Sequence, residues 1–257
     1  MGTIFKTMIV TSLRDKITLF YSILFPVLIL IGLGYYVDNE DYIPRLLTGV
    51  IVLSSLFWGV SGIAFQVFGQ RTRGVYKLLK VTPLPTMHFI LLMAAARTIL
   101  GIGINLLVLF VGIVLFDIAI SPNELLGAIS VMFIGILCFT CLGFFISNFA
   151  NNEGQINMIS NLFFLPMIFG TDTFYSLENA PTWVARMGDF FPLGYYTKAL
   201  RIVIGIEESE QTTMALIIIL LGFTLLLLIL ATVTFKWEAQ SQVDLKKGSK
   251  GKEGLSS

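Results

Sequence analysis

Six long runs of apolar residues restrict this chain to one kind of fold. They occupy residues 17–37, 46–68, 89–116, 125–146, 156–171 and 212–235. A helix needs about 20 apolar residues to cross the hydrocarbon core of a bilayer. A backbone in lipid must satisfy its own amides and carbonyls, and these runs lack the alternation of a barrel strand. The sequence therefore predicts an all-α integral membrane protein, with six transmembrane helices in a single domain spanning 1–257.

The distribution of basic residues predicts how the helices are oriented. Only 13% of the 257 residues are charged, against about 25% in soluble proteins, and the net charge of +1 gives no reason to expect a nucleic-acid partner. Basic residues concentrate before the first run, between the second and third, and after the sixth. The opposite loops hold mainly acids, with Arg45, Arg186, Lys198 and Arg201 as their only basic residues. The positive-inside rule then places both termini in the cytoplasm and predicts a multi-pass protein of the cell membrane, in contact with lipid.

The two ends of the chain lie outside the apolar runs. Residues 1–16 mix apolar and basic side chains at helical spacing, which favours an amphipathic helix on the membrane surface. An ordinary flanking segment, whose cations only set the topology, explains the same pattern. Residues 238–257 are polar and rich in Gly, Ser and Lys, so we expect a disordered tail.

A second segment of interest is the predicted cytoplasmic loop 69–88, which is longer than a tight turn requires. Val75, Leu78 and Leu79 can share one face of a short helix, and prolines end it at 83 and 85. Such an amphipathic helix is a docking element for a partner. The alternative is a basic loop that only fixes the orientation of the chain, and the regular apolar spacing favours docking.

A third segment, 172–206, is divided by Pro181 and Pro192 into two short, aromatic pieces. The fifth run before it is short for a full crossing. Because Trp and Tyr favour the membrane interface, we expect two short re-entrant helices that dip into the outer leaflet. Their aromatic residues, Trp183, Phe190, Tyr195 and Tyr196, are candidates for an outer gate.

These motifs, in this order, resemble the permease subunit of ABC type-2 exporters of the drug and antibiotic kind. The inner loop matches the family pattern at Arg71, Gly74, Leu79 and Pro83, although Thr72 stands where an acid is usual. A second match comprises Glu153, the LPM triplet at 165–167, Phe174, Pro181, Trp183 and Pro192. Gly170-Thr171 replaces the Ser-Gly pair that is common in the family. The resemblance covers nearly the whole chain.

The resemblance implies a dimer of permease subunits, formed with a second copy or a homologue, on which two ABC ATPase subunits dock from the cytoplasm. It makes the inner loop the coupling helix. The candidate coupling residues are Arg71, Arg73, Gly74, Val75, Lys77, Leu78, Leu79, Lys80 and Glu153. In relatives the second and fifth spans line the dimer interface. Candidates for that interface or the pathway are Gly59, Gly62, Asn157, Asn161 and Pro166.

The sequence predicts a transport component that is not itself an enzyme. It contains no G-x-x-x-x-G-K-[ST] phosphate loop, so ATP and Mg²⁺ are expected on the partner ATPase and no cofactor on this chain. Cys138 and Cys141 lie in an apolar run without nearby acids or histidine, which favours packing over metal binding. The spans also lack the clustered polar groups of a membrane enzyme.

The ionisable content of the spans bears on the cargo and on Arg97. Few ionisable groups fall within the apolar runs, which favours an amphiphilic or lipophilic cargo such as a drug, an antimicrobial peptide or a lipid. Arg97 is a functional candidate, but we expect its side chain to reach the head groups or pair with an acid. An ATPase-independent channel or secondary transporter is the alternative function, although such proteins usually show midplane charges or paired broken helices.

Overall fold

The computed structural model describes residues 9–10, 12–13, 16–37, 42–76, 85–174, 181–207 and 212–237. In this part of the chain there are helices and no strands, which confirms the all-helical class. The helices are α1 Lys16–Val37, α2 Tyr42–Thr72, α3 Thr86–Phe116, α4 Pro122–Phe149, α5 Glu153–Phe169, α6 Thr182–Gly188, α7 Pro192–Val203 and α8 Thr213–Val233.

Four of these helices, α2, α3, α4 and α8, are long and apolar enough to cross a membrane by their length and composition. In α1 the apolar part is shorter, Ser22–Val37. Helix α5 has 17 residues and contains Pro166. The structure therefore supports a protein with several membrane-crossing helices.

Helix α2 is longer than its apolar run, because it begins at Tyr42 and continues to Thr72. Helix α3 in turn begins at Thr86, directly after Pro85. The predicted loop 69–88 is therefore shorter than its sequence suggested, and part of it is the last turn of α2. Residues 77–84, which include most of the predicted coupling helix, lie outside the described residues, as do most of residues 1–15 and all of the tail 238–257.

Helices α2 and α4 form the centre of the bundle, and glycines bring them close together. A Cβ atom on Gly143 of α4 would lie 2.5 Å from the carbonyl oxygen of Val60 and 2.8 Å from that of Gly59. On Gly59 a Cβ atom would lie 2.7 Å from the Cβ of Phe139. Small residues allow such close backbone contact between membrane helices. Helices α1, α3, α5, α7 and α8 pack around this pair.

Specific caps set two of the helix boundaries. At the start of α4, Ser121 Oγ accepts a hydrogen bond from the Glu124 amide, and Glu124 accepts one from the Ser121 amide at 2.7 Å. This reciprocal capping box satisfies two amides that the helix leaves unpaired. Asn152 caps α5 in a similar way by accepting from the Gln155 amide at 2.8 Å. The short turn between α4 and α5 is therefore fixed by its own side chains.

Two short helices, α6 and α7, follow the turn at the end of α5, as the positions of Pro181 and Pro192 predicted. We call residues 170–207 the distal segment, of which 175–180 are not described. At the other end of the bundle, the ends of α2, α4 and α8 meet the start of α3. We call this end, built around Arg71, Tyr76, Phe89, Asn148 and Phe235, the base.

Candidate functional site

Arg71 lies at the centre of the base and is buried, with only 4% of the residue exposed. Its Nη1 donates to the carbonyl oxygen of Ser147 at 2.7 Å, and its Nη2 donates to Asn148 Oδ1 at 3.0 Å. Both acceptors belong to the last turn of α4. Arg71 was predicted as a coupling residue, and the structure places its guanidinium inside the protein, where it joins α2 to α4.

Asn148 extends this link to the end of α8. Its Nδ2 donates to the carbonyl oxygen of Ala231 at 3.1 Å and to Thr234 Oγ1 at 3.0 Å. The ring of Phe235 lies 5.9 Å from the guanidinium carbon of Arg71. A continuous set of hydrogen bonds therefore connects the ends of three helices that are far apart in sequence.

Aromatic rings attach the start of α3 to the same place. The ring of Tyr76 is fully buried, and it packs 5.3 Å from Phe89 and 5.7 Å from Phe235, measured between centroids. Burial raises the pKa of the Tyr76 phenol, and nearby Arg71 opposes that rise only in part. The phenol therefore stays protonated and donates to Gln70 Oε1 at 2.9 Å. The Tyr76–Phe89 pair is edge-to-face, an arrangement that adds stability beyond the burial of the rings.

The turn that leaves α2 exposes two of the predicted coupling residues. Gly74 has a φ of +74°, a left-handed conformation that other residues adopt at a cost, and its amide donates to the Arg71 carbonyl. On either side of it, Arg73 and Val75 are exposed. The predicted coupling residues Lys77, Leu78, Leu79 and Lys80 lie outside the described residues.

Glu153 is the first residue of α5 and is exposed. It follows the capped turn that leaves α4, only five positions after Asn148 of the base. Ala150 in that turn packs with Ala64 of α2 and Ile156 of α5. The structure therefore places this acid at the same end of the bundle as Arg73 and Val75.

Gly59 and Gly62, predicted as interface or pathway residues, face neighbours within the same chain. Gly59 packs on α4, as described above, and a Cβ atom on Gly62 would collide with the guanidinium of Arg97. The close helix approach that these small residues permit is therefore internal. This placement gives neither glycine a surface for a second subunit.

Arg97 is buried and contacts α2. The residue is 3% exposed, and its guanidinium stacks 4.1 Å from the ring centroid of Trp58. It also donates to the Trp58 carbonyl at 3.2 Å and to Gln66 Oε1 at 2.7 Å. The cation is held by an indole face and by polar groups of α2, which the sequence alone did not suggest.

Asn105 of α3 hydrogen-bonds to a neighbouring helix, donating to Ser55 Oγ of α2 at 2.6 Å. Asn157 and Asn161 are exposed on α5, and Pro166 lies half-buried within that helix. The exposed side of α5 also carries Met158, Leu162 and Leu165. This side of the helix is open to lipid or to another subunit.

The four outer-gate candidates separate into two groups. Trp183 and Phe190 are 64% and 76% exposed at the distal end. Tyr195 is half-buried, and its hydroxyl donates to the Asp189 carbonyl within the distal segment at 3.0 Å. Tyr196 is fully buried, with its hydroxyl 2.9 Å from Ser55 Oγ. Tyr196 is therefore a packing and hydrogen-bonding residue, and it does not line an open surface here.

Sequence reasoning treated Arg201 only as one of the few basic residues on the acidic side. The structure shows it buried, with Nη1 3.1 Å from Asp172 Oδ2 and Nη2 donating to the carbonyls of Asp172 and Thr173 at 2.8 and 3.0 Å. Glu207 adds a carboxylate oxygen at 3.7 Å. The sequence offered one indication of this contact, namely a basic residue among apolar neighbours and an acid, Asp172, earlier in the same segment.

The remaining chemistry of the described residues is sparse. No group of three or more His, Cys, Asp or Glu side chains that could hold a metal occurs among them. Cys138 and Cys141 are buried free thiols in the packed interior of α4. The described residues instead form structural connections. The base joins four helices and carries exposed groups on its surface, and the distal segment is fixed at the opposite end of the bundle.

Comparison with known proteins accords with this arrangement. The family model for the ABC-2 type transporter matches residues 1–204. The chain is also similar to a Bacillus subtilis (strain 168) protein named "Putative transport permease YvfS", with 23% identity over 222 residues, covering 83% of this chain and 89% of that protein. The family consists of the membrane components of ABC transporters, which pair with separate ABC ATPases. The chain therefore belongs to the ABC-2 type transporter family and is the membrane-embedded permease component of such a transporter.

Proposed function

We propose that this chain is the transmembrane subunit of an ATP-driven exporter, with six spans and both termini in the cytoplasm of the cell. In addition to the four long helices, α1 and α5 would complete the six. Two permease subunits would form the pathway, and ATP with Mg²⁺ would be bound and hydrolysed on two ABC ATPase subunits. The cargo would be amphiphilic or lipophilic, moved outward.

The observation that best supports coupling to an ATPase is the way the base holds the residues on both sides of the predicted loop 77–84, which itself lies outside the described residues. Tyr76 precedes this loop and packs on Phe89, which follows it by one turn of α3. Arg71 then ties the same place to α4 and, through Asn148, to α8. A push on such a loop is transmitted to four helices at once.

The surface of the base offers groups of the right kind for an ATPase contact. Arg73 and Val75 are exposed beside the loop, and Glu153 is exposed at the start of α5. An exposed apolar residue among charges of both signs fits a docking surface with a central anchor and a polar rim. These residues, with 77–80 of the loop, form the contact that we propose.

The dimer contact that we propose lies on α5. Its exposed side carries Asn157 and Asn161 between large apolar residues, including Leu162 at 71% exposure. Amide side chains on a membrane-facing helix are costly against lipid and hydrogen-bond readily to another helix. A second copy or a homologue on this side would cover them.

Co-purification of the ATPase with variants of the base tests this proposal. Replacement of Val75, Leu78 and Leu79 by Ser should strongly reduce ATPase association while membrane insertion persists. The control is Leu126→Ser, which removes a comparable exposed side chain near the opposite end of the bundle. Undiminished association of the loop variant would exclude the loop as the principal contact.

A further inference from the structure

Helix α2 makes side-chain hydrogen bonds both at the base and with α7 of the distal segment. At 1.5 Å per residue, about 34 Å of helix separates Thr48 from Arg71. Arg71 binds α4 at the base, whereas Thr48 accepts from Arg201 Nε at 3.4 Å. The only proline of α2, Pro44, lies in its first turn, where it does not interrupt the helical hydrogen bonds.

The distal segment meets α2 at further points. Tyr196 OH and Ser55 Oγ are 2.9 Å apart and buried, and Ser55 also accepts from Asn105. Near the helix start, Tyr42 OH donates to the carbonyl of Phe174 at 3.3 Å. These bonds are spread over about four turns of α2, so they constrain both the position and the tilt of the distal segment.

Two described parts of the distal segment, the loop 171–174 and α7, are also bound to one another. Arg201 of α7 holds residues 172 and 173 through a carboxylate and two carbonyls, all within 3.1 Å. A chain of hydroxyls continues this link, with Thr171 and Thr173 oxygens 2.8 Å apart and Thr173 and Thr197 oxygens 3.2 Å apart. The loop 171–174 and α7 therefore form one unit.

Helix α5, to which the distal segment is covalently connected, is less extensively packed than α2. Only four residues of the 17-residue α5 are buried, namely Ile156, Ser160, Phe164 and Met167. The link from α5 to the distal segment includes a local bond, from Thr171 Oγ1 to the Met167 carbonyl at 2.7 Å. Helix α2, by contrast, is buried over most of its length.

We infer that Tyr196 and Arg201 are positioning residues that fix the distal segment to α2, so that this segment moves with α2 and not with the adjoining α5. The inference deepens the proposed function, because a displacement of the base by an ATPase would then reach the distal end through α2 and through α4, which packs on it and on Tyr196. Packed interiors transmit such displacements because they have low compressibility.

Distances between pairs of spin labels test the inference in the isolated chain, with both native cysteines replaced by Ser. Labels on Arg45 and Phe190 report α2 against the distal segment, and labels on Leu162 and Phe190 report α5 against it. All three positions are exposed. We expect a single narrow Arg45–Phe190 distance and a broader Leu162–Phe190 distribution.

Two adjacent tyrosines provide a matched comparison. Tyr196→Phe removes the hydroxyl that bonds to α2, and it should broaden the Arg45–Phe190 distance distribution, although the bonds from Arg201 and Tyr42 remain. Tyr195→Phe removes a hydroxyl that bonds to the Asp189 carbonyl within the distal segment, and it should broaden that distance less than Tyr196→Phe does. A label pair at Arg45 and Leu126 should stay unchanged in both variants, which separates a positioning role from general loosening of the fold.

A broad Arg45–Phe190 distribution in the unmodified sequence, or equal effects of the two tyrosine substitutions, would overturn the inference. With a co-purified ATPase and trapped nucleotide, the Leu162–Phe190 distance should shift and the Arg45–Phe190 distance should not, and the reverse pattern would also overturn it. Failure to find any ATPase partner would count against the proposed function alone, since the measurements on the isolated chain do not require one.

Discussion

Replacement of Arg71 by Ala should destabilise the folded chain strongly, because the arginine is buried and makes two short hydrogen bonds at the base. Hydrogen bonds to charged groups contribute about 1.5–3 kcal/mol each. Removing both leaves the Ser147 carbonyl oxygen and Asn148 Oδ1 without their donor, and we expect a loss of about 3 kcal/mol or more. The residue is almost inaccessible, so solvent screening reduces this value little.

The expected change is measurable as a melting temperature in detergent, followed by size-exclusion chromatography with fluorescence detection. For a chain of this size 1 kcal/mol corresponds to about 2–4 °C, so Arg71→Ala should lower the midpoint by about 6–12 °C. Arg71→Lys keeps the charge but cannot donate to both acceptors with the geometry of a guanidinium. Its melting midpoint should therefore lie between that of the unmodified protein and that of Arg71→Ala.

Arg73 provides the matched control, because it is exposed two positions further along the same segment. Arg73→Ala should change the free energy of unfolding by less than about 0.5 kcal/mol, as exposed substitutions usually do. If Arg71→Ala and Arg73→Ala had the same midpoint, the buried hydrogen bonds of the base would not stabilise the fold, and the reasoning would be refuted.

Three further predictions concern packing within the bundle. Gly143→Ala places a methyl group against backbone oxygens of α2 and should cost about 1–3 kcal/mol, whereas Gly222→Ala, with nothing within 4 Å, should be neutral or stabilising in the same melting assay. Arg97→Met removes the contact with the Trp58 indole and should cost about 2 kcal/mol, with a change in tryptophan emission; an unaltered spectrum would argue against that contact. Both native cysteines, 138 and 141, should resist maleimide in the folded protein and react after denaturation, and rapid labelling of the folded chain would contradict their burial.

The helices were predictable from the sequence because lipid permits few alternatives. An apolar run of about 20 residues must satisfy its backbone internally, which makes it a helix wherever its ends lie. The ends themselves depend on tertiary contacts. Helix α2 continues to Thr72, and Arg71 in its last turn donates to acceptors on α4 that stabilise this end. Residues 69–72 alone do not indicate that these acceptors are present.

The exposure of individual site residues was less predictable, because it depends on which helix lies opposite. Tyr195 and Tyr196 are neighbours with the same chemistry, yet only Tyr196 is buried. The difference arises at Gly135 of α4, where a Cβ atom would lie 2.7 Å from the Tyr196 ring. The sequence identified these tyrosines as notable but gave no means of pairing one of them with a glycine 61 positions earlier.

The proposed roles of the exposed coupling candidates remain predictions, because they depend on contact with a partner protein. Arg73, Val75 and Glu153 are at the surface of the base, as a docking site requires. Arg71 is not, and we expect it to act by holding that surface in place. Its substitution should therefore affect stability first and ATPase association second.

Native mass spectrometry of the chain, tagged and extracted from its own membrane in a gentle detergent, tests the central proposal most directly. We expect a complex of two permease subunits with two copies of an ATPase that carries a phosphate loop. Repeated recovery of an intact assembly that contains no ATPase would contradict the exporter proposal and favour an ATPase-independent channel or carrier.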